Sequence, residues 1–187
     1  MYFDVYQQRE VMIFVTGGAR SGKSSLAEKM ARDRGGAVTY IATARAGDDE
    51  MAERIASHRQ RRPDGWETIE APEDLPGVVE DALAACEGTV LVDCLTVYIS
   101  NVLLSQGIAS AERMRRAVDH EMDRMVEVCR GGNGHVIVVS NEVGMGIVPE
   151  NTLARTFRDA AGRANQKLAS AAEEVYLCVS GIPLKVK

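Results

Sequence analysis

The stretch Gly17-Gly18-Ala19-Arg20-Ser21-Gly22-Lys23-Ser24 constrains the fold of this chain more than any other. It matches G-x-x-x-x-G-K-[ST] in full. It also has the surroundings that pattern needs: the apolar run Met12 to Thr16 before it and a helix-compatible segment, Ser24 to Arg34, after it. Glycines let the backbone take positive φ and approach a phosphate closely. The loop N–H groups and the start of the following helix then point at the anion. Lys23 supplies a cation near the β and γ phosphates, and Ser24 offers a hydroxyl to Mg²⁺. The pattern predicts triphosphate binding and leaves the reaction open, because such loops serve kinases, motors and switches alike.

Met12 to Thr16 is one of several short continuous apolar runs, the type that suits strands buried on both faces of a parallel sheet. The others are Val38 to Ala42, Thr89 to Val92, His135 to Val139 and Val175 to Val179. Helical patterns occupy Glu50 to Arg62, Ala111 to Arg130 and Thr152 to Glu174. Strands alternating with helices predict an α/β P-loop fold, a mostly parallel sheet flanked by helices. Ile182 to Lys187 reads as a terminal strand after the turn at Gly181. Residues 1–11 read as an N-terminal extension and residues 12–187 as a single nucleotide-binding catalytic domain, a length that suits one core.

A net charge of -5 argues against a nucleic-acid partner held by bulk electrostatics. Cys86, Cys94, Cys129 and Cys178 have no metal-ligand spacing, so they read as reduced thiols filling core space in a cytoplasmic protein. The apolar region Val90 to Leu104 is interrupted by Asp93, Ser100 and Asn101, and no membrane span is expected.

Two further positions invite chemistry. Asp93 ends the run Thr89 to Val92, where a P-loop protein places the acid that organises Mg²⁺; a helix-capping aspartate at a strand-to-helix turn is the other reading. His58 lies in a helical pattern with acids at its start and bases at its end, which complements a helix dipole. Met51, Ile55, His58 and Arg62 fall on one face. Residue physics alone favours a surface helix with a half-buried histidine. The sharper reading makes His58 a nucleophile toward phosphorus, with Arg59, Arg61 and Arg62 keeping it neutral and offsetting triphosphate charge.

The blocks GGARSGKS, DDEM-x-x-RI-x-x-H, W-x-T-x-E, VDCLT and NEVGMGIVPE, with the segment Leu153 to Gln166, resemble the bifunctional adenosylcobinamide kinase / adenosylcobinamide-phosphate guanylyltransferase family. The likeness runs from Met12 to Lys187, and Asn141 to Pro149 is its most distinctive part. It implies a RecA-like P-loop fold, a homotrimer and two reactions of cobalamin assembly. GTP or ATP phosphorylates the aminopropanol hydroxyl of adenosylcobinamide. GTP then donates GMP to adenosylcobinamide phosphate through a guanylyl-histidine, and His58 matches that histidine. The implied nucleotide contacts are Gly17, Gly18, Ala19, Arg20, Ser21, Gly22, Lys23, Ser24, then Ala42, Thr43, Ala44, then Arg59, Gln60, Arg61, Arg62, with Glu70 and Asp93 completing the set. Ser24 and Asp93 are the implied Mg²⁺ residues, and Glu70 is a candidate reader of the guanine edge.

The chain departs from the family pattern at Ser57-His58, where relatives carry adjacent histidines, and in the arginine content after His58. Asn141 and Glu142 end an apolar strand and serve either to orient substrate or to form a turn. Two other functions fit the phosphate loop alone: a simple small-molecule kinase, and a non-catalytic switch module.

Overall fold

The computed structural model describes residues 11–45, 53, 63, 65–85, 88–107 and 109–187. Seven strands form one sheet: β1 (Met12–Gly17), β2 (Val38–Ala42), β3 (Glu67–Glu70), β4 (Thr89–Asp93), β5 (His135–Asn141), β6 (Glu174–Val179) and β7 (Ile182–Lys185). Their order is β3-β2-β4-β5-β1-β6-β7. Every neighbouring pair is parallel except β6–β7, a hairpin turning at Ser180 and Gly181, both with positive φ. This is the α/β architecture expected from the alternating runs.

The described helices are α1 (Lys23–Arg34), α2 (Leu75–Ala85), α3 (Leu95–Ser105), α4 (Ala111–Gly131) and α5 (Thr152–Ala171). Strand residues alternate between two cores, as the pleat requires. Phe14, Val90, Val92, Val136 and Val138 meet α2, α3, α4 and α5 on one face. Ile13, Val15, Tyr40, Leu91, Ile137 and Val139 meet Ala27 and Ala31 of α1 on the other. Helix α4 buries Met114, Val118, Met122, Met125 and Cys129, a stripe at three- and four-residue spacing. Ser110 caps it, its side chain accepting from Arg113 N at 3.3 Å.

Three elements go beyond the sequence reading. β3 is a short edge strand, and its sequence ETIE carries polar residues at three of four positions, so it lacks a buried-strand signature. Helix α2 opens with Leu-Pro-Gly, which hides its helical pattern. Helix α3 is rich in β-branched Thr96, Val97, Ile99 and Val102, a weak intrinsic helix former held by burial of Leu95, Tyr98, Ile99 and Leu103. The last long helix also stops at Ala171 rather than Glu174, because Glu174 already pairs with Ile13 in the sheet. The helical pattern Glu50 to Arg62 falls outside the described residues apart from Glu53, which is helical and exposed. Among the described residues no helix is long and apolar enough to cross a membrane.

The sheet order places a crevice at the C-terminal ends of β1 and β5. The chain leaves β1 through α1 on one face toward β2, and leaves β5 through α5 on the other face toward β6. Adjacent strands whose connections diverge in this way open the ligand cleft of an open α/β sheet.

At the opposite end, His135 opens β5 beside Arg34, with Nη1 and Nδ1 3.2 Å apart. Burial first, and then the Arg34 charge, lower its pKa from the usual 6.5. The unfolded chain takes up this proton as pH falls through 6.5 while the folded chain does not, so stability falls with pH in that window. The expected outcome is that His135→Gln shows a smaller loss of urea midpoint than wild type between about pH 7 and about pH 5.5.

Candidate active site

The phosphate loop begins where β1 ends. Gly17 has φ +157°, and a Cβ there would lie 2.5 Å from the Cys178 carbonyl oxygen and 2.6 Å from Ser21 Oγ. Gly22, at φ +93° and ψ +1°, precedes α1 and would drive a Cβ to within 3.1 Å of Gly181 Cα. These two positions admit only glycine because the loop packs against the β6–β7 hairpin, where Gly181 N donates to Ser21 O at 2.9 Å. Arg20 takes φ +56° without being glycine, an uncommon backbone state that concentrates at functional loops. Gly18, Ala19 and Arg20 are exposed around it, Ser24 is half-buried, and Lys23 sits beneath.

Lys23 is 8% exposed, and its Nζ donates to Gly18 O at 3.1 Å. Among the described residues no carboxylate pairs with it. A buried ammonium held only by a backbone carbonyl is poorly compensated, and the state that compensates it is one with an anion in the loop. Ser21 Oγ, also buried, has no hydrogen-bond partner among the described residues and can donate to the same anion.

Asp93 ends β4, in register with Ala42 on one side and Val139 on the other. Tyr40 Oη donates to its Oδ2 at 3.0 Å. Its other oxygen makes no hydrogen bond to protein among the described residues, so the oxygen donors present, Asp93 and the Ser24 hydroxyl, suit a hard cation that also takes phosphate and water ligands. Asp93 is followed by Cys94 at the N-cap of α3, and no side chain caps that helix. The capping alternative for Asp93 is therefore not the role it adopts.

Ala42 ends β2, and Thr43 and Ala44 follow it at the same edge. Thr43 is fully buried: its Oγ1 donates to Cys94 O at 2.7 Å and accepts from Cys94 N at 3.0 Å. Asn101 Nδ2 reaches Thr43 O at 2.9 Å and Pro72 O at 3.1 Å. Glu70 lies at the C-terminal end of β3, opposite Ala42 and exposed. Thus the structure brings Gly17–Ser24, residues 42–44, Glu70 and Asp93 to one edge of the sheet. His58, Arg59, Gln60, Arg61 and Arg62 lie outside the described residues.

A second row of polar groups fixes this edge, and of these the sequence patterns singled out only Asn141 and Glu142. Asn141 is braced against α3: its N and Nδ2 both donate to Thr96 Oγ1, at 3.0 and 2.8 Å. Asn165 on α5 donates to Asn141 O at 3.1 Å and accepts from Ser140 Oγ at 2.6 Å. Glu142 N donates to Gly17 O at 3.0 Å, tying the end of β5 to the phosphate loop. The signal for these residues was the polar interruption of apolar runs, and single interruptions do not say which partner they meet.

The described cysteines are not nucleophiles. Burial pushes Cys94 up and the Asp93 charge adds to it; burial pushes Cys129 up to about 12 and raises Cys178. All three stay thiols near neutral pH, so none is an activated thiolate. Cys129 and Cys178 fill core space as the composition implied, whereas Cys94 belongs to the site's edge.

The family described as cobinamide kinase / cobinamide phosphate guanyltransferase matches residues 13–186. The bifunctional adenosylcobalamin biosynthesis protein CobU of Salmonella typhimurium is 46% identical over 183 residues, covering 95% of this chain and 100% of its own length. The protein of the same name from Escherichia coli is 46% identical over the same extent. The bifunctional adenosylcobalamin biosynthesis protein CobP of Pseudomonas aeruginosa is 43% identical over 173 residues, 92% of this chain and 95% of its own. The chain belongs to the cobinamide kinase / cobinamide phosphate guanyltransferase family.

Backbone contact around Gly17 generates a direct expectation. Gly17→Ala must displace the Cys178 carbonyl or the loop itself. We expect nucleotide affinity to fall about tenfold or more by calorimetry, with a lowered urea midpoint.

Proposed function

We propose that this member of the family catalyses two transfers at one phosphate loop: phosphorylation of the adenosylcobinamide aminopropanol hydroxyl, and transfer of GMP from GTP to the resulting phosphate with His58 as carrier. The observation that carries the reading is the buried Lys23, without a carboxylate partner among the described residues, in a complete phosphate loop at the sheet's crevice. Residues 12–187 act as the single catalytic unit.

In the kinase step the substrate hydroxyl attacks the γ-phosphorus, the bond from that phosphorus to the bridging oxygen breaks, and the nucleoside diphosphate leaves. Lys23, the loop N–H groups and Arg20 hold the phosphates in line and take up charge as it moves to the leaving group. In the guanylyl step a ring nitrogen of His58 attacks the α-phosphorus and pyrophosphate leaves. An oxygen of the cobinamide phosphate then attacks the same phosphorus and breaks the P–N bond, which restores the histidine. Splitting the transfer in this way predicts ping-pong kinetics. Arg59, Arg61 and Arg62 serve the pyrophosphate, with Gln60 beside them. Ser24 and Asp93 would hold Mg²⁺, which would supply Lewis-acid charge compensation to the triphosphate. Residues 42–44 line the nucleotide, and Glu70 accepts from the guanine N1–H and exocyclic amine. GTP is the guanylyl donor, and GTP or ATP the phosphoryl donor.

The proposed assembly is a homotrimer. The exposed apolar residues Ile182, Leu184 and Val186 on the terminal hairpin support an association surface there.

The functional test uses two labels. Incubation with α-labelled GTP and no acceptor is expected to give an acid-labile, base-stable protein adduct that γ-labelled GTP does not give and that His58→Ala lacks. An adduct that persists in His58→Ala would remove the histidine from the mechanism. No adduct at all under saturating Mg²⁺-GTP would leave a simple kinase.

A further inference from the structure

The described residues expose large apolar side chains in two places. One is the β6–β7 hairpin; the other comprises the chain between the end of β5 and the first turns of α5, together with the end of α3. In the second, Met145 is 82% exposed and Ile147 96% exposed, with Val148 beside them in sequence. Leu104 and Leu153 are exposed there too, and with Phe157 they line a shallow, mainly apolar depression of about 220 Å³ between α3 and α5. Surfaces of this kind, bordered by polar groups, mark binding faces.

The position of this face relative to the phosphate loop identifies its ligand. The segment starts at Glu142, whose N–H donates to Gly17 O at 3.0 Å. It ends where Arg155 Nη1 donates to Pro149 O at 2.9 Å, and Asn151 both caps α5 and borders the depression. Met145, Ile147 and Val148 therefore lie on the stretch of chain that leads from the first residue of the phosphate loop to the rim of the α3–α5 depression. The phosphates, ribose and base of a nucleotide make little use of three exposed aliphatic side chains. A tetrapyrrole-like macrocycle with methyl and amide-bearing arms does, and its hydroxyl-bearing arm must enter the crevice while the ring stays outside.

We infer that Met145, Ile147 and Val148, with the depression formed by Leu104, Leu153 and Phe157, are the corrinoid-binding wall of this enzyme. The inference rests on the proposed function and adds to it the location of the acceptor's ring. The ring edge packs on these aliphatic side chains.

The test compares Met145→Ser/Ile147→Ser and Leu104→Ser/Leu153→Ser with wild type, using cobinamide and GTP as substrates. All four side chains are exposed, so both variants are expected to fold, which circular dichroism checks. The inference stands if KM for cobinamide rises about tenfold in either variant while KM for GTP, the α-label adduct and the molar mass by light scattering match wild type. It is overturned if neither variant moves KM for cobinamide. It is also overturned if the affected variant changes molar mass, because the face is then a contact between copies of the chain. Wild type that fails to use cobinamide at all would sink the functional reading; wild type that uses it equally well with both variants would sink only this inference.

Discussion

The approach of the phosphate loop to the turn between β6 and β7 is the contact on which the rest of the site depends. At Gly17 there is no room for a Cβ between the Cys178 carbonyl and Ser21 Oγ, and Gly181 N anchors the loop through Ser21 O. That contact exists because β1 lies between β5 and β6, both parallel to it and both ending at the same edge. The sheet order thus decides more than architecture. It fixes the loop's backbone, which fixes the direction of α1 and the place where Lys23 is buried.

Electrostatics at the edge follow from that frame. Lys23 stays buried with a single carbonyl as partner among the described residues, while Asp93 stands across β5, braced by the Tyr40 hydroxyl. The intervening polar network of Thr43, Thr96, Asn141, Asn165 and Ser140 spends its hydrogen bonds on the protein itself. Such fully connected networks rigidify a site and leave the charged groups to meet the ligand. The nearby Cys94 thiol is kept protonated by burial and by Asp93, so the site presents a cation and a carboxylate but no competing sulfur nucleophile.

Much of this was legible in the sequence. The strands β1, β2, β4, β5 and β6 announced themselves as short apolar runs, and the phosphate loop by its spacing, because buried parallel strands and close phosphate approach each demand a narrow set of residues. β3 and α3 were not legible, for opposite reasons. ETIE is too polar to signal a strand, and its pairing comes from the edge of β2. LTVYISNVLLS is apolar and β-branched, and only packing against α4 and α5 makes it helical. Asp93 was legible as a strand-end acid, whereas Asn165, more than twenty residues along the chain from its partners Ser140 and Asn141, was not. Contacts between distant segments have no local pattern.

The central claim is that one phosphate loop serves both transfers, and Lys23→Ala tests it most directly. Phosphorylation of cobinamide and guanylyl transfer to separately supplied cobinamide phosphate would be assayed side by side with the unfolding midpoint. Both activities are expected to be lost while the nucleotide-free protein unfolds no earlier than wild type, since the variant removes a buried charge that has no carboxylate partner among the described residues. Full retention of either activity would contradict it.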